Sequence, residues 1–156
     1  ENKQRGLKIT INKYQDLSSD KLDEILKLRS EVFVVEQNCA YQDLDNKDQK
    51  ALHLIVEEKN KIIAYTRIFK KGDFFKNSSI GRVLVKKEHR RKDLGKKIMI
   101  KSIEQIKEDK NEKKIELSAQ KYLLKFYLEL GFKKNGKEYL EDGIPHVKMI
   151  LKIWFY

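Results

Sequence analysis

Three apolar runs, Leu52 to Val56, Ile62 to Phe69 and Ile80 to Val85, follow one another with only polar stretches between them. Each is short enough for a strand, and Glu57, Glu58, Lys59, Asn60 and Lys61 between the first two form a hairpin signal. The loop Lys70 to Ser79 leads into the third run, so the simplest arrangement is an antiparallel meander. Any fold for this chain must therefore be built around a sheet.

The rest of the sequence supplies helices and further strands. Leu7, Ile9 and Ile11 alternate with polar residues, the period of a strand. Ser18, Ser19 and Asp20 can cap a helix whose apolar face runs Leu22, Ile25, Leu26, Val32 and Phe33 and which should end near Glu36, with a shorter helix expected between Gln37 and Lys50. From Leu94, the positions Ile98, Met99, Ile103 and Ile106 keep helical spacing until the charged run Lys107 to Lys114. Ile115 to Ala119 reads as a strand, and Leu123, Phe126, Tyr127 and Leu130 as the face of a helix that Gly131 terminates. A strand pair closes the chain. In its second member Val147, Met149, Leu151, Ile153 and Phe155 alternate with Lys148, Ile150, Lys152, Trp154 and Tyr156. The expected class is α+β, a mixed and mostly antiparallel central sheet flanked by helices, in the order β-α-(α)-β-β-β-α-β-α-β-β.

With 156 residues and no linker or repeat, residues 1–156 are expected to form one domain. Hydrophobic residues make up 40% of the chain and recur in periodic blocks, which argues against disorder. Lys and Arg number 35 against 24 Asp and Glu, a net charge of +11 that would suit anionic partners. Lysines are nevertheless spread along the whole chain, as a compositional bias would also leave them, so charge alone selects no partner. The lone Cys39 forms no internal disulfide and belongs to no zinc-like spacing, so no metal is expected and a reducing cytoplasm is the expected compartment. No run of about eighteen apolar residues and no signal-peptide pattern occurs, which leaves no expected membrane partner.

The segment most informative for chemistry runs from Ile80 to Met99: a strand, a basic loop, then an amphipathic helix. A helix N-terminus offers unpaired N–H groups and partial positive charge, and so favours phosphate. Lys86, Lys87, Arg90, Arg91, Lys92, Lys96 and Lys97 surround that point, against Glu88 and Asp93. A solvated surface turn would carry the same residues. A small nucleic-acid-binding domain would also use such a patch, but zinc-finger spacing and the aromatic signature of an RNA-binding sheet are both missing, so no nucleic-acid partner is expected.

Arg90-x-x-Asp93-x-Gly95 resembles the R/Q-x-x-G-x-G/A pyrophosphate loop of the GNAT N-acetyltransferase superfamily, and it stands between the expected strand and the expected helix. Further segments resemble the ElaA-like branch in order: Leu28-Arg29 with Val32-Phe33-Val34-Val35-Glu36-Gln37, His53-Leu54, Ala64-Tyr65-Thr66-Arg67-Ile68, Leu117-Ser118-Ala119-Gln120, Phe126-Tyr127 with Gly131-Phe132, and Glu141-Asp142-Gly143-Ile144-Pro145-His146. Together they cover about Leu22 to Met149. Asp93 stands where the superfamily usually has a glycine, which implies weakened rather than abolished cofactor binding.

The resemblance implies the GNAT fold and transfer of an acetyl group from acetyl-coenzyme A (acetyl-CoA) to an amine by direct attack in a ternary complex. It places the pantetheine arm along the backbone of Val83, Leu84 and Val85. The pyrophosphate would lie among Arg90, Arg91, Lys92, Asp93, Leu94, Gly95 and Lys96, with Gln120 in contact with the cofactor. Tyr127 matches the tyrosine that protonates the departing thiolate, although its place on an apolar helical stripe equally suits core packing. A non-catalytic acyl-CoA sensor is the alternative that the Asp93 substitution supports.

His53, Arg67 and Arg82 lie inside apolar strands, where charge needs a partner. Either the arginines pair with Glu36, Asp45 or Asp142 as structural salt bridges, or they line the acceptor cleft and bind a carboxylate or phosphate. In the second case Glu36 or His53 would take the ammonium proton, unless it is lost to water, and His146 would border the cleft. The acceptor is expected to be a small-molecule or peptide amine, and the protein a monomer or homodimer.

Overall fold

The computed structural model describes residues 6–90 and 93–153. Arg91 and Lys92 lie outside these, as do Trp154, Phe155 and Tyr156 at the end of the expected last strand. Eight strands form one mixed sheet: β1 (Leu7–Lys13), β2 (Leu52–Glu58), β3 (Lys61–Phe69), β4 (Ser78–Val85), β5 (Lys114–Gln120), β6 (Lys133–Lys134), β7 (Tyr139–Glu141) and β8 (Ile144–Lys152). The strands run in the order β1-β2-β3-β4-β5-β8-β6, with β7 also paired to β8. Every pairing is antiparallel except β4 with β5.

Helix α1 (Ser19–Ser30) starts where Ser18 Oγ accepts from the Lys21 N–H at 3.1 Å. It buries Ile25 and Leu28 on one face of the sheet, against Ile55, Ile62, Tyr65 and Leu84. Its last turn loosens into a π-helical segment, Glu31–Glu36, which carries Glu36 away from the core. Helix α2 (Leu94–Lys107) covers the opposite face, with Leu94, Ile98, Met99, Ile103 and Ile106 packed on strand residues such as Leu54, Val56 and Ala64. Each fully buried Ile or Leu contributes roughly 1.5–3 kcal/mol, so these two stripes fix both layers. Helix α3 (Leu124–Glu129) ends at Gly131, whose φ of +100° lets the Phe132 N–H return to the Tyr127 carbonyl at 3.1 Å.

Two details differ from the sequence reading. The chain closes with three strands rather than two, because β6 and β7 are short, exposed pieces without apolar alternation. The segment from Gln37 to Lys50 holds only a single 3-10 turn, Asp48–Lys50, since its aspartates turn inward to arginines instead of lying along a helix. Among the described residues no helix is long and apolar enough to cross a membrane.

Candidate functional site

Strands β4 and β5 pair only at their beginnings, Ser78 with Ile115 and Ser79 with Glu116. Past those pairs they are not hydrogen-bonded, and a cavity of about 910 Å³ opens between them. Strand alternation divides its lining. Val83, Val85 and Leu117 face the α2 side together with Leu94 and Tyr127, whereas Arg67, Phe69, Ser79, Ser118 and His146 face the other way.

On the α2 side the cavity meets the N-terminus of α2. The first bond of α2 outside its regular ladder joins the Lys97 N–H to the Asp93 carbonyl at 3.1 Å, which leaves the N–H groups of Leu94, Gly95 and Lys96 as open donors. Asp93 adopts a left-handed conformation with φ +55° and makes no side-chain cap. A Cβ on Gly95 would meet nothing closer than Phe126 at 3.7 Å, so packing does not demand glycine there and the backbone is left approachable. Residue Arg82 sits at a β-bulge with φ +50°, where the β3–β4 register slips between Tyr65 and Arg67. Beyond the bulge the Lys86 N–H bonds inward to the Ile63 carbonyl at 2.7 Å, so Val85 presents its own N–H and carbonyl to the cavity side. Arg90 occupies that carbonyl through Nε at 2.9 Å, and its two terminal nitrogens hold Glu36 at 2.5 and 3.0 Å.

Tyr127 lines the same space while only 6% exposed. Its ring lies edge-on to Phe126 and Phe132, and its hydroxyl has no hydrogen-bond partner among the described residues. Burial pushes its pKa up, so the phenol is protonated at neutral pH. Gln120, at the end of β5, trades amide bonds with Gln37 at 3.2 and 3.3 Å.

A buried ionic network underlies the opposite side. Arg29, fully buried in α1, donates from Nε to Asp43 and from Nη1 to Asp48, each at 2.8 Å. Arg67, 1% exposed, gives both terminal nitrogens to Asp45 at 2.8 and 2.7 Å and shares Nη1 with Asp48 at 2.9 Å. Arg82 donates from Nε to Asp43 at 2.7 Å. Burial alone would raise the Asp45 and Asp48 carboxyls, but the arginines outweigh it and hold both below the usual range.

Most of the residues singled out in the sequence meet at this cavity: Glu36, Arg67, Arg82, Gln120, Tyr127 and His146 are brought together with the start of α2. His53 is not. It is fully buried under the network, its Nε2–H donating to the Asp48 carbonyl at 2.9 Å and its Nδ1 accepting from Tyr65 Oη at 2.5 Å. Burial pushes its pKa down and keeps it neutral. His146 donates from Nδ1 to the Ile144 carbonyl at 2.7 Å, with Nε2 3.3 Å from Glu141. Arg91 and Lys92 lie outside the described residues. Sequence reasoning gave no role to Arg29, Asp43 and Asp48, although Arg29 stands four residues after Ile25 on the buried stripe of α1, where a cation must find a partner. Among the described residues no cluster of His, Cys, Asp or Glu is placed to hold a metal ion.

Known proteins share this architecture. The sequence profile of the acetyltransferase (GNAT) domain matches residues 13–153. Protein ElaA of Escherichia coli is 37% identical over 142 residues, covering 90% of this chain and 93% of ElaA. Its crystal structure superposes with a TM-score of 0.86 over 93% of this chain and 99% of that one. A UPF0039 protein of Schizosaccharomyces pombe is 38% identical over 150 residues, covering 95% and 99% of the two chains. The crystal structure of an acyl-CoA N-acyltransferase from Pseudomonas aeruginosa superposes with a TM-score of 0.88 at 33% identity, over 93% of this chain and 99% of that one.

Proposed function

The chain belongs to the ElaA-like branch of the GNAT acyltransferase family, and on that premise we propose that it transfers an acetyl group from acetyl-CoA to a primary amine by direct attack. The observation that carries this reading is Tyr127: a phenol on a buried side chain, protonated at neutral pH and without a hydrogen-bond partner among the described residues, in the same cavity as the N-terminus of α2. The residues fit the cofactor. Leu94, Gly95 and Lys96 offer backbone donors for a diphosphate, Arg90 and Lys96 add positive charge, with Arg91 and Lys92 adjoining in sequence, and Val83 to Val85 offer a strand edge for the pantetheine arm.

When bound, the cofactor supplies an acyl carbon activated as a thioester. Tyr127 is the residue that would give its proton to the sulfur released as the acceptor amine takes the acyl group. The acceptor ammonium must first lose a proton. Glu36, one of the carboxylates at the cavity wall, can take it, but Arg90 holds both its oxygens, so it acts only when that guanidinium lets go; otherwise water serves. His53, enclosed and doubly bonded, is out of reach of the cavity.

A second reading, a non-catalytic acyl-CoA sensor, draws support from Asp93, a carboxylate beside the phosphate donors. Thiol release from acetyl-CoA against a panel of amines, run beside calorimetric CoA titration, separates them. Amine-dependent thiol release is the expected result; CoA binding with no release across the panel favours the sensor, and absence of CoA binding at millimolar concentration sinks both.

A further inference from the structure

Two polar atoms on the side of the cavity away from α2 have no hydrogen-bond partner among the described residues. The Nε–H of Arg67 and the hydroxyl of Ser79 are enclosed, on residues 1% and 2% exposed, and neither meets a hydrogen-bonding group. Both residues line the cavity. Arg67 pairs with Gly81 and Phe69 with Ser79, so Arg67 and Ser79 are diagonal neighbours on one face of the sheet. Between them Gly81 leaves room, since a Cβ there would meet nothing within 4 Å. Enclosed donors without acceptors are costly and rare, which makes two neighbours on one side of the cavity a pointer to a ligand atom that accepts from both.

Charge decides what that atom is. The other two nitrogens of Arg67 are taken by Asp45 and Asp48, and Arg29, Arg67 and Arg82 are balanced by Asp43, Asp45 and Asp48. Glu141 and Asp142 add further negative charge to the lining on this side. A carboxylate or phosphate would bring one more anion to a set already balanced. A neutral carbonyl oxygen accepts hydrogen bonds with no charge to desolvate. Phe69 and Phe74, stacked at 5.0 Å, and Phe75 edge-on to Phe74, supply aromatic carbon for an apolar group beside it.

We propose that Arg67 Nε and Ser79 Oγ form a subsite for a neutral carbonyl oxygen, and that the acceptor is an α-amino amide with an apolar side chain, as at a peptide N-terminus, rather than a free amino acid or a phosphorylated amine. This rests on the amine-acylation reading above, and it differs from the alternative weighed in the sequence in which Arg67 and Arg82 bind an anion. Tyr127 and α2 serve the acyl carrier from one face of the sheet, and this subsite holds the acceptor from the other.

The test is calorimetric titration of the full chain, first with CoA and then, once CoA-saturated, with phenylalaninamide, phenylalanine, phenethylamine and a phenylalanyl dipeptide amide. Phenylalaninamide should bind at least about tenfold more tightly than phenylalanine. Ser79→Ala should weaken the amide about three- to tenfold, the worth of one neutral hydrogen bond, while leaving phenethylamine and CoA affinity unchanged. Because it deletes an orphan hydroxyl, the same change should leave Tm unchanged or higher. Tighter binding of the dipeptide amide identifies a peptide N-terminus as the source of the group, and equal binding a free amide. Phenylalanine binding as well as its amide, an amide affinity indifferent to Ser79→Ala, or no binding by any of the four overturns the subsite. Failure of CoA itself to bind, seen before any amine is added, overturns the proposed function and this inference with it.

Discussion

Arg90 and Glu36, 54 residues apart in the chain, hold each other through two bonds, Nη1 to Oε2 at 2.5 Å and Nη2 to Oε1 at 3.0 Å. The partners are 37% and 32% exposed, so water screens the pair and it contributes only ~0–1 kcal/mol to stability. Its larger effect is on binding, because it occupies a guanidinium placed to meet phosphate. Glu36→Gln should therefore tighten CoA binding about three- to tenfold at low ionic strength, with a smaller gain at high salt, as calorimetry at two salt concentrations can show. The same variant should lose about 100-fold in kcat if Glu36 accepts the ammonium proton. An unchanged kcat assigns that proton to water.

Tyr127→Phe removes a hydroxyl without a hydrogen-bond partner among the described residues, so the fold should hardly register it. Turnover should fall about 100-fold or more while CoA affinity stays at the parental value. Burial raises the phenol above its ordinary pKa of about 10, so Tyr127 remains protonated as pH climbs through the neutral range. Parental pH–rate profiles should show no loss of activity from this residue below about pH 10. A decline near pH 8 that vanished in Tyr127→Phe would contradict its assignment as the acid.

The layers of this fold were legible because local periodicity and burial agree. Leu52 to Phe69 alternates or runs apolar as buried strands do, and Leu94, Ile98 and Ile106 mark one face of a helix that does cover the sheet. The opening between β4 and β5 was not legible: Ile80 to Val85 and Ile115 to Ala119 read only as two short strands, and where two strands cease to pair is decided by tertiary packing. Tyr127 could be found only through its motif, since its position on an apolar stripe is that of any core residue. The partners of the arginines were partly visible: Asp45 had been weighed, but Asp43 and Asp48 sit in a polar segment whose contacts with Arg29, Arg67 and Arg82 span 14 to 39 residues.

Asp93 sits where φ is +55°, a conformation that costs an ordinary residue about 1–2 kcal/mol and Asp less. Glycine relieves that strain but gives the unfolded chain more freedom, so Asp93→Gly should move Tm by no more than about 4 °C. Its carboxylate stands at the helix end meant for phosphate, and removing it should tighten CoA binding about three- to tenfold. Asp93→Asn keeps a residue tolerant of the left-handed region and drops only the charge. If Asn reproduces the gain, repulsion is the cause; if only Gly does, the backbone is. Unchanged affinity in both would mean that the Asp93 carboxylate points clear of the phosphates.

Asp48 joins two buried cations, accepting from Arg29 Nη1 at 2.8 Å and Arg67 Nη1 at 2.9 Å, while its carbonyl receives His53. Asp48→Asn leaves the buried Arg29 and Arg67 and the half-buried Arg82 with two carboxylates and should cost about 3–5 kcal/mol in urea unfolding at pH 7. Acid should act in the same direction. Burial raises the Asp48 carboxyl and Arg29 and Arg67 lower it further, so its folded pKa lies below the unfolded value, as does that of Asp45 beside Arg67. A group depressed on folding contributes stability above its unfolded pKa of about 4, and that contribution fades as pH drops through the folded value. The parent should therefore weaken steadily below about pH 4, and Asp48→Asn, already missing one of the titrating groups, should weaken with a shallower slope. Parallel slopes for the two proteins would show that the acid response comes from carboxylates outside this network.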